Sequence, residues 1–394
     1  MEIRRKIYRL IRWEYFWLCL IVIVTVILHI STITEPAELI LDEQHYIPDA
    51  RSIIQNHETL RPEHPPLSKL LIASSILIFG DNPIGWRAFS VLFGTLNIVL
   101  FYLVCRKLHM SRRAANIAVF LLGFENLSFI QASVAMLDVF GLTFTLASFW
   151  LYLRKNYSLS AIAIALSALA KLTGALGAGA IGLHWLIMNR KALLERNWRL
   201  LADFIASMLL APFTFLVFMP VLDYLATHEF TNPVYRVKEM MSLMATLTFA
   251  TTKHDSLSRP WEWLISPKPM PYWYAPSYMG GISYTVWALI IPAVIYMGYR
   301  LWKGNSAATF GVLWFIFTYV VWIPASIITD RVSFVFYFYP TIGAVCIGLG
   351  LAFSQLLNIA KKQKNTWQWL MPAAIGAFIV AHLVVLAIIS PVFT

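Results

Sequence analysis

The chain has 394 residues, 59% of them hydrophobic and 13% charged, with a mean hydropathy of +0.67 and a net charge of +11. Soluble domains carry roughly a quarter charged residues and disordered chains lack apolar content, so both classes are excluded. The surplus of 31 Lys and Arg over 20 Asp and Glu would suggest nucleic acid in a soluble protein; in a polytopic membrane protein it poses a question of topology.

The basic first residues lead into an apolar stretch with no small-residue cleavage site, which reads as an uncleaved anchor. A spanning helix needs about 20 mostly apolar residues. Runs at 16–34, 88–105, 200–222, 282–302, 307–329, 332–356 and 368–390 have the length, and shorter runs at 114–124, 139–153, 159–173 and 175–189 bring the expected spans to eleven. The run 67–79 is set apart. It enters through Pro65-Pro66, stops at Gly80 and fits a helix lying in the interface. With that choice the basic residues before the first span, and those at 106–113, 154–155, 190–199, 300–303 and 361–364, share one face with Glu2, Glu14, Glu195 and Asp203. By the positive-inside rule that face, and the N-terminus, are expected to be cytoplasmic.

Two long outer segments remain, 35–86 and 223–281, the second rich in aromatics and prolines. No repeat of 20–50 residues is present, which weighs against a transporter. Cys19, Cys105 and Cys346 lie in apolar runs and suggest neither a disulfide framework nor a metal site. Residues 1–394 read as one all-α polytopic transmembrane domain.

Chemistry concentrates in the first outer segment, in Leu41-Asp42-Glu43-Gln44-His45-Tyr46 and then Arg61 to Lys69. The acidic pair is either two solvated loop charges or a general base in a cleft, where desolvation and a neighbouring carboxylate raise basicity. Lys69, on the first turn of the surface helix, is either a snorkelling anchor or a contact for an anionic headgroup. His45, His57 and His64 make a divalent metal conceivable, but their spacing matches no compact ligand motif, so no metal or other cofactor is assigned.

These residues carry a family resemblance. Asp42-Glu43-x-His45-Tyr46 followed by His64-Pro65-Pro66-Leu67-x-Lys69 resembles the first lumenal loop of the protein O-mannosyltransferases, membrane glycosyltransferases of the GT-C fold that use a polyprenyl-phosphate sugar. Four further stretches follow in order. Glu125-Asn126 through Gln131 to Leu137-Asp138 is similar to the second loop, and Ala170-Lys171-Leu172-Thr173-Gly174 to a Thr-Lys-Trp-x-Gly stretch. Ser258-Arg259-Pro260-Trp261 with Pro271-Tyr272-Trp273-Tyr274 resembles the long aromatic loop of prokaryotic members, and Arg331-x-x-Phe334 with Tyr337-Phe338-x-Pro340 a late Arg/aromatic helix start. The sequence departs where Ser133 replaces a family-type Arg and Leu172 a Trp. The second outer segment, about 60 residues by the span estimate, leaves no room for MIR domains.

The resemblance implies Asp42 as the base that deprotonates a Ser/Thr hydroxyl, with Glu43 orienting a neighbour. His64 and Lys69 would shape the cleft, and Asp138, Lys171, Arg259 and Arg331 would meet substrate, Lys171 and Arg331 through the phosphate. Each has a plainer reading. Asp138 suits a helix N-terminus, Arg331 follows Asp330 and so suits an ion pair, and the Trp and Tyr residues of 261–274 suit an interfacial belt. For Lys171 the plainer reading is snorkelling; the phosphate contact is favoured because an ammonium among apolar residues costs about 2.5–3.5 kcal/mol at mid-helix and Gly174, Gly177 and Gly179 mark a turn and a close approach. The expected function is inverting transfer of mannose from dolichyl- or polyprenyl-phosphate mannose to protein Ser/Thr. The setting would be the extracytoplasmic face of a prokaryotic plasma membrane, with membrane lipids as partners, a homo- or hetero-dimer allowed and no nucleic acid. The rivals are another polyprenyl-phosphate sugar or a lipid or glycan acceptor on the same fold, a lipid-linked sugar transporter, and an inactive relative serving as an assembly partner.

Overall fold

Prolines and capping side chains divide the apolar sequence into helices. The computed structural model describes residues 13–266 and 268–393, so the basic group Arg4, Arg5, Lys6, Arg9 and Arg12 lies outside the described residues. Helix α1 (Phe16–Thr32) is followed by α2 (Glu43–Asn56) and α3 (Pro66–Phe79), which together form the first outer segment. α4 (Pro83–Lys107) starts at Asn82, whose side chain accepts from the Ile84 and Gly85 amides, with Pro83 at the first helical position, where its missing N–H costs nothing.

α5 (Arg112–Gly123) and α6 (Asn126–Ser133) form one unit bent by 56°. Glu125 makes the bend: it caps α6 by accepting from the Ser128 amide at 2.7 Å and also accepts from the Ser283 amide at 2.8 Å. Asn126 donates to the Met279 and Gly281 carbonyls, so the bend is pinned to the second outer segment. α7 (Leu137–Leu153) and α8 (Tyr157–Ala170) pack along each other through serine contacts, with the Ser148 and Ser160 hydroxyls 2.9 Å apart.

α9 (Leu176–Leu194), α10 (Trp198–Met208) and α11 (Leu210–Thr227) lead to the second outer segment. It holds α12 (Pro233–Ala245), α13 (Glu262–Ile265) and an antiparallel hairpin of β1 (Met270–Trp273) and β2 (Tyr278–Gly280). α14 (Tyr284–Trp287) and α15 (Ile290–Trp302) break the expected span 282–302. Pro292 accounts for the break, because its ring opposes the carbonyl four residues back, at Ala288. α16 (Ser306–Phe315) and α17 (Trp322–Thr329) are joined by a π-type turn at Ile316–Val320, just before Pro324, which leaves the Val320 carbonyl without its helical donor. α18 (Ile342–Ala360) is largely buried, whereas α19 (Trp367–Ile389) exposes most of its apolar surface.

Among the described residues, six segments are long and apolar enough to cross a membrane: 83–107, 172–194, 198–227, 306–329, 335–360 and 367–389. They correspond to six of the eleven expected spans. The other five are the shorter helices α1, α7 and α8, the bent α5–α6 unit and the broken α14–α15. The protein is thus an all-helical, multi-pass membrane protein apart from one small hairpin. Its basic loops gather at one end. Arg106 pairs with Glu14 at 2.7 Å, and Arg113 bonds Ser354 and Asn358 beyond the middle of α18. The opposite end holds α2, α3 and the hairpin.

Candidate active site

Asp42 and Glu43 are adjacent in sequence and differently employed. Leu41 takes a positive φ of 43° and turns the chain into α2, with Asp42 at the N-cap position. The Asp42 carboxylate makes no capping hydrogen bond. Burial pushes its proton affinity above the ordinary carboxylate range, opposed by the charges of Lys171, His45 and Arg61 and reinforced by Asp138. Glu43 is fully buried and saturated. Its oxygens accept from Arg87 Nε and Nη2 at 2.9 and 2.8 Å, from the Ala135 amide at 2.9 Å and from the Ile40 amide at 3.2 Å. Arg87 in turn donates to the carbonyls of Ile33, Pro36 and Glu38. This cluster ties the end of α1, the start of α2 and the strand-like step before α7 to α4.

A second buried pair shapes the following loop. Asp49 accepts from the Thr59 hydroxyl and from the Leu60 and Arg61 amides, fixing the chain that leads to His64. Lys69, 1% exposed, lies 3.5 Å from Asp49 and donates to the Thr59 hydroxyl and the Arg61 carbonyl. Its ammonium therefore faces inward and supports the loop from below; it neither snorkels nor reaches toward a headgroup. His64 stands with its Nε2 3.4 Å from the Tyr46 hydroxyl. Burial, then the nearby cations Lys171, Lys69, Arg331 and Arg61, lower its pKa to about 3, so the ring is neutral.

Asp138 and Lys171 face each other across α7 and the end of α8. Lys171 Nζ donates to both Asp138 oxygens at 2.6 and 2.7 Å, with the two side chains 17% and 5% exposed. Lys171 is extended where α8 stops, and the 3₁₀ turn after it requires Gly174, since a Cβ there would sit 2.1 Å from the Ser167 hydroxyl. Ser68 locks this corner to α3 by donating to the Ala170 carbonyl at 3.0 Å. The ammonium also lies 5.4 Å from the Tyr337 ring and 5.9 Å from Phe336. Ser133, at the position of the family-type Arg, pairs its hydroxyl with His29 Nδ1 at 3.0 Å. The positive charge facing Asp138 therefore comes from Lys171.

At the far side Asp330 is claimed by Arg259, at 2.6 Å, and not by its neighbour Arg331. Arg259 also bonds Ser326 and stacks 3.8 Å from the centre of the Phe249 ring. Arg331 is left without an ion pair among the described residues, and its Nε is buried with no partner. Tyr272 of β1 closes the site. Its hydroxyl accepts from Gln131 at 2.9 Å, and burial with the charges of Asp138 and Asp42 pushes its pKa well above the ordinary phenol value.

The structure thus brings Asp42, His64, Asp138, Lys171 and Arg331 into one electrostatic neighbourhood, and employs Glu43, Lys69 and Arg259 in ion pairs around it. Arg87 and Asp49 escaped the sequence reading. Arg87 sits at the seam between an outer segment and a span, and Asp49 belongs to no motif. The one available signal was that a charge beside so apolar a run needs a partner. Among the described residues no group of three or more His, Cys, Asp or Glu side chains is disposed to hold a metal.

Comparison with known proteins gives this geometry a context. Residues 74–234 match the family described as dolichyl-phosphate-mannose-protein mannosyltransferase. The polyprenol-phosphate-mannose–protein mannosyltransferase of Mycobacterium tuberculosis is 35% identical over 136 residues, 33% of this chain and 26% of that protein. Its counterpart in Corynebacterium glutamicum is 31% identical over 156 residues, 36% of this chain and 30% of the relative. The match therefore spans about a quarter to a third of the length of these relatives. In structure, the S. cerevisiae protein O-mannosyltransferase Pmt1-Pmt2 complex bound to the sugar donor aligns with a TM-score of 0.77 at 12% identity, over 96% of this chain and 90% of that one. ArnT from Cupriavidus metallidurans bound to undecaprenyl phosphate aligns at 0.57 and 19% identity, over 95% and 72%. The fold is that of the GT-C glycosyltransferases. Of the candidate residues, Asp138 and Lys171 fall inside the matched family segment. Asp42, His64, Arg259 and Arg331 lie outside it.

Proposed function

We propose that the chain transfers mannose, with inversion, from a dolichyl- or polyprenyl-phosphate carrier to Ser/Thr hydroxyls of proteins, and that residues 1–394 act as one unit. The observation that carries this reading is the uncapped, half-buried Asp42 carboxylate facing the Lys171–Asp138 pair. A hydroxyl is a weak nucleophile at neutral pH, and a base of raised affinity takes its proton as the oxygen attacks the anomeric carbon. The bond from that carbon to the phosphate oxygen breaks, its electron pair passing to the phosphate. The charge that grows there is met by the Lys171 ammonium and the Arg331 guanidinium, a preorganised pair of cations in a water-poor cleft. A donor carried by lipid explains why no Gly-rich nucleotide loop occurs in the sequence. The choice of mannose and of a protein acceptor is supported by the names of the sequence relatives. The expected topology puts the basic end in the cytoplasm and Asp42 outside.

The test is transfer from a panel of lipid-phosphate sugars to Ser/Thr peptides by the purified protein, read by mass spectrometry. Mannosylated peptide from the wild-type chain, lost in Asp42→Asn, is the expected outcome. No glycopeptide with any donor overturns the reading, and undiminished transfer by Asp42→Asn removes Asp42 as base. Transport of the lipid-linked sugar across proteoliposomes without product would replace transfer by translocation.

A further inference from the structure

A second cavity lies apart from Asp42, with none of the site residues in its lining. It is a groove of about 680 Å³ between α1, α5 and α19 toward the basic end of the bundle. Trp17, Leu20 and Val24 of α1 form one wall, at spacings of three and four residues that place them on one helix face. Ile117 and Phe120 of α5 form the other wall. Trp17 and Leu20 are both 42% exposed, so the groove is open along its side. Deeper in, α1 and α5 approach closely at Gly123, where a Cβ would lie 3.1 Å from Ile21.

The near end is polar. Arg112 and Arg113 line it. Glu14, the acid described there, is already held by Arg106 and by the Tyr102 hydroxyl at 2.9 Å. The hydrogen bonds of Arg113 run to neutral groups, Ser354 and Asn358, and among the described residues it has no ion pair. One turn further in, Asn116 also lines the groove, and its Oδ1 is buried without a donor.

We infer that this groove binds one anionic glycerophospholipid with a hydroxyl-bearing head. An acyl chain fills the apolar trough, the phosphate meets the arginine end, and a head-group hydroxyl donates to Asn116. Basic pockets between membrane helices suit such head groups because the phosphate supplies both the charge and the acceptors that guanidinium requires. The occupant is a lipid and not a peptide: the trough lies among lipid-facing apolar helices and carries its charge at one end alone.

The test is native mass spectrometry of the full chain released from nanodiscs containing equal phosphatidylglycerol and phosphatidylcholine. One phosphatidylglycerol per chain should be retained, at least ten-fold over phosphatidylcholine. Arg113→Gln should abolish the preference, and Val24→Trp, which fills the trough, should abolish retention of both lipids. Because Arg113 also holds α18, Arg112→Gln and Asn116→Leu serve as independent head-group variants if Arg113→Gln fails to fold. Equal retention of both lipids, or unchanged retention in Val24→Trp, overturns the proposal.

Discussion

Two sets of charges sit at the end of the molecule that carries α2 and α3, and they differ in how completely they are answered. Glu43–Arg87 and Asp49–Lys69 form the lower set, nearly inaccessible to solvent, with backbone groups taking up most of the remaining donors and acceptors. The upper set is Asp42, Asp138–Lys171 and Arg331. Asp42 lacks a cap bond, Lys171 keeps some exposure and Arg331 has an unpartnered nitrogen. Apart from Asp49 Oδ2, buried 3.5 Å from Lys69 without a hydrogen bond, the lower charges are taken up in holding the backbone in place; charges left short of partners are available to a ligand. The sequence run Asp42-Glu43 contributes one residue to each set.

The comparison can be broken in several ways. Asp42→Asn should reduce kcat by about 10²–10⁴, the usual contribution of a positioned base, with no loss of thermal stability in detergent. Lys171→Gln should cost about 10²–10³ in kcat by removing a cation aimed at the developing charge. Arg87→Ala should instead appear in denaturant unfolding, where leaving Glu43 buried and unpaired costs about 3–5 kcal/mol. A Glu43→Gln variant of normal stability and no activity would erase the distinction between the two sets.

The pH dependence gives a smaller effect. Asp42 must be ionised to act, and burial raises its affinity for the proton, so kcat/KM should fall with acid along a limb lying above the ordinary carboxylate range. His64, lowered to about 3, stays neutral through the working range, so His64→Gln should leave that limb in place. The smallest expected change is Arg331→Lys, which keeps the charge and loses the planar fork; about a ten-fold rise in the KM for the lipid donor, measured against varied donor concentration, is the expected result.

Much of the upper set was legible in sequence because its members lie in motifs whose order is distinctive: Asp42, Asp138, Lys171 and Arg331. The lower set was not. Arg87 and Asp49 take their meaning from partners 44 and 20 residues away, a separation that periodicity cannot register. Lys69 shows the same limit in reverse, since its position on a surface helix suggested an outward role while Asp49 draws it inward. For the fold, apolar runs of spanning length matched five of the six long spans, and the sixth, 172–194, extends the shorter run 175–189. The breaks near Pro292 and Pro324 could have been anticipated from those prolines, whereas the bend at Glu125 depends on Ser283 and Met279, far along the chain.

That bend also constrains how the chain can change in length. α6 is fastened at its first residues to the 279–283 segment, and its last residue leads within a few positions to Asp138. One residue inserted into α5 would rotate everything beyond it by about 100°, turning Glu125 away from Ser283 and swinging the approach to Asp138 with it. Length variation among natural homologues should therefore be absent from 112–138 and collect in stretches such as 250–256, past the bridge that ties Thr248 to Arg331, where the backbone bonds to its own neighbours.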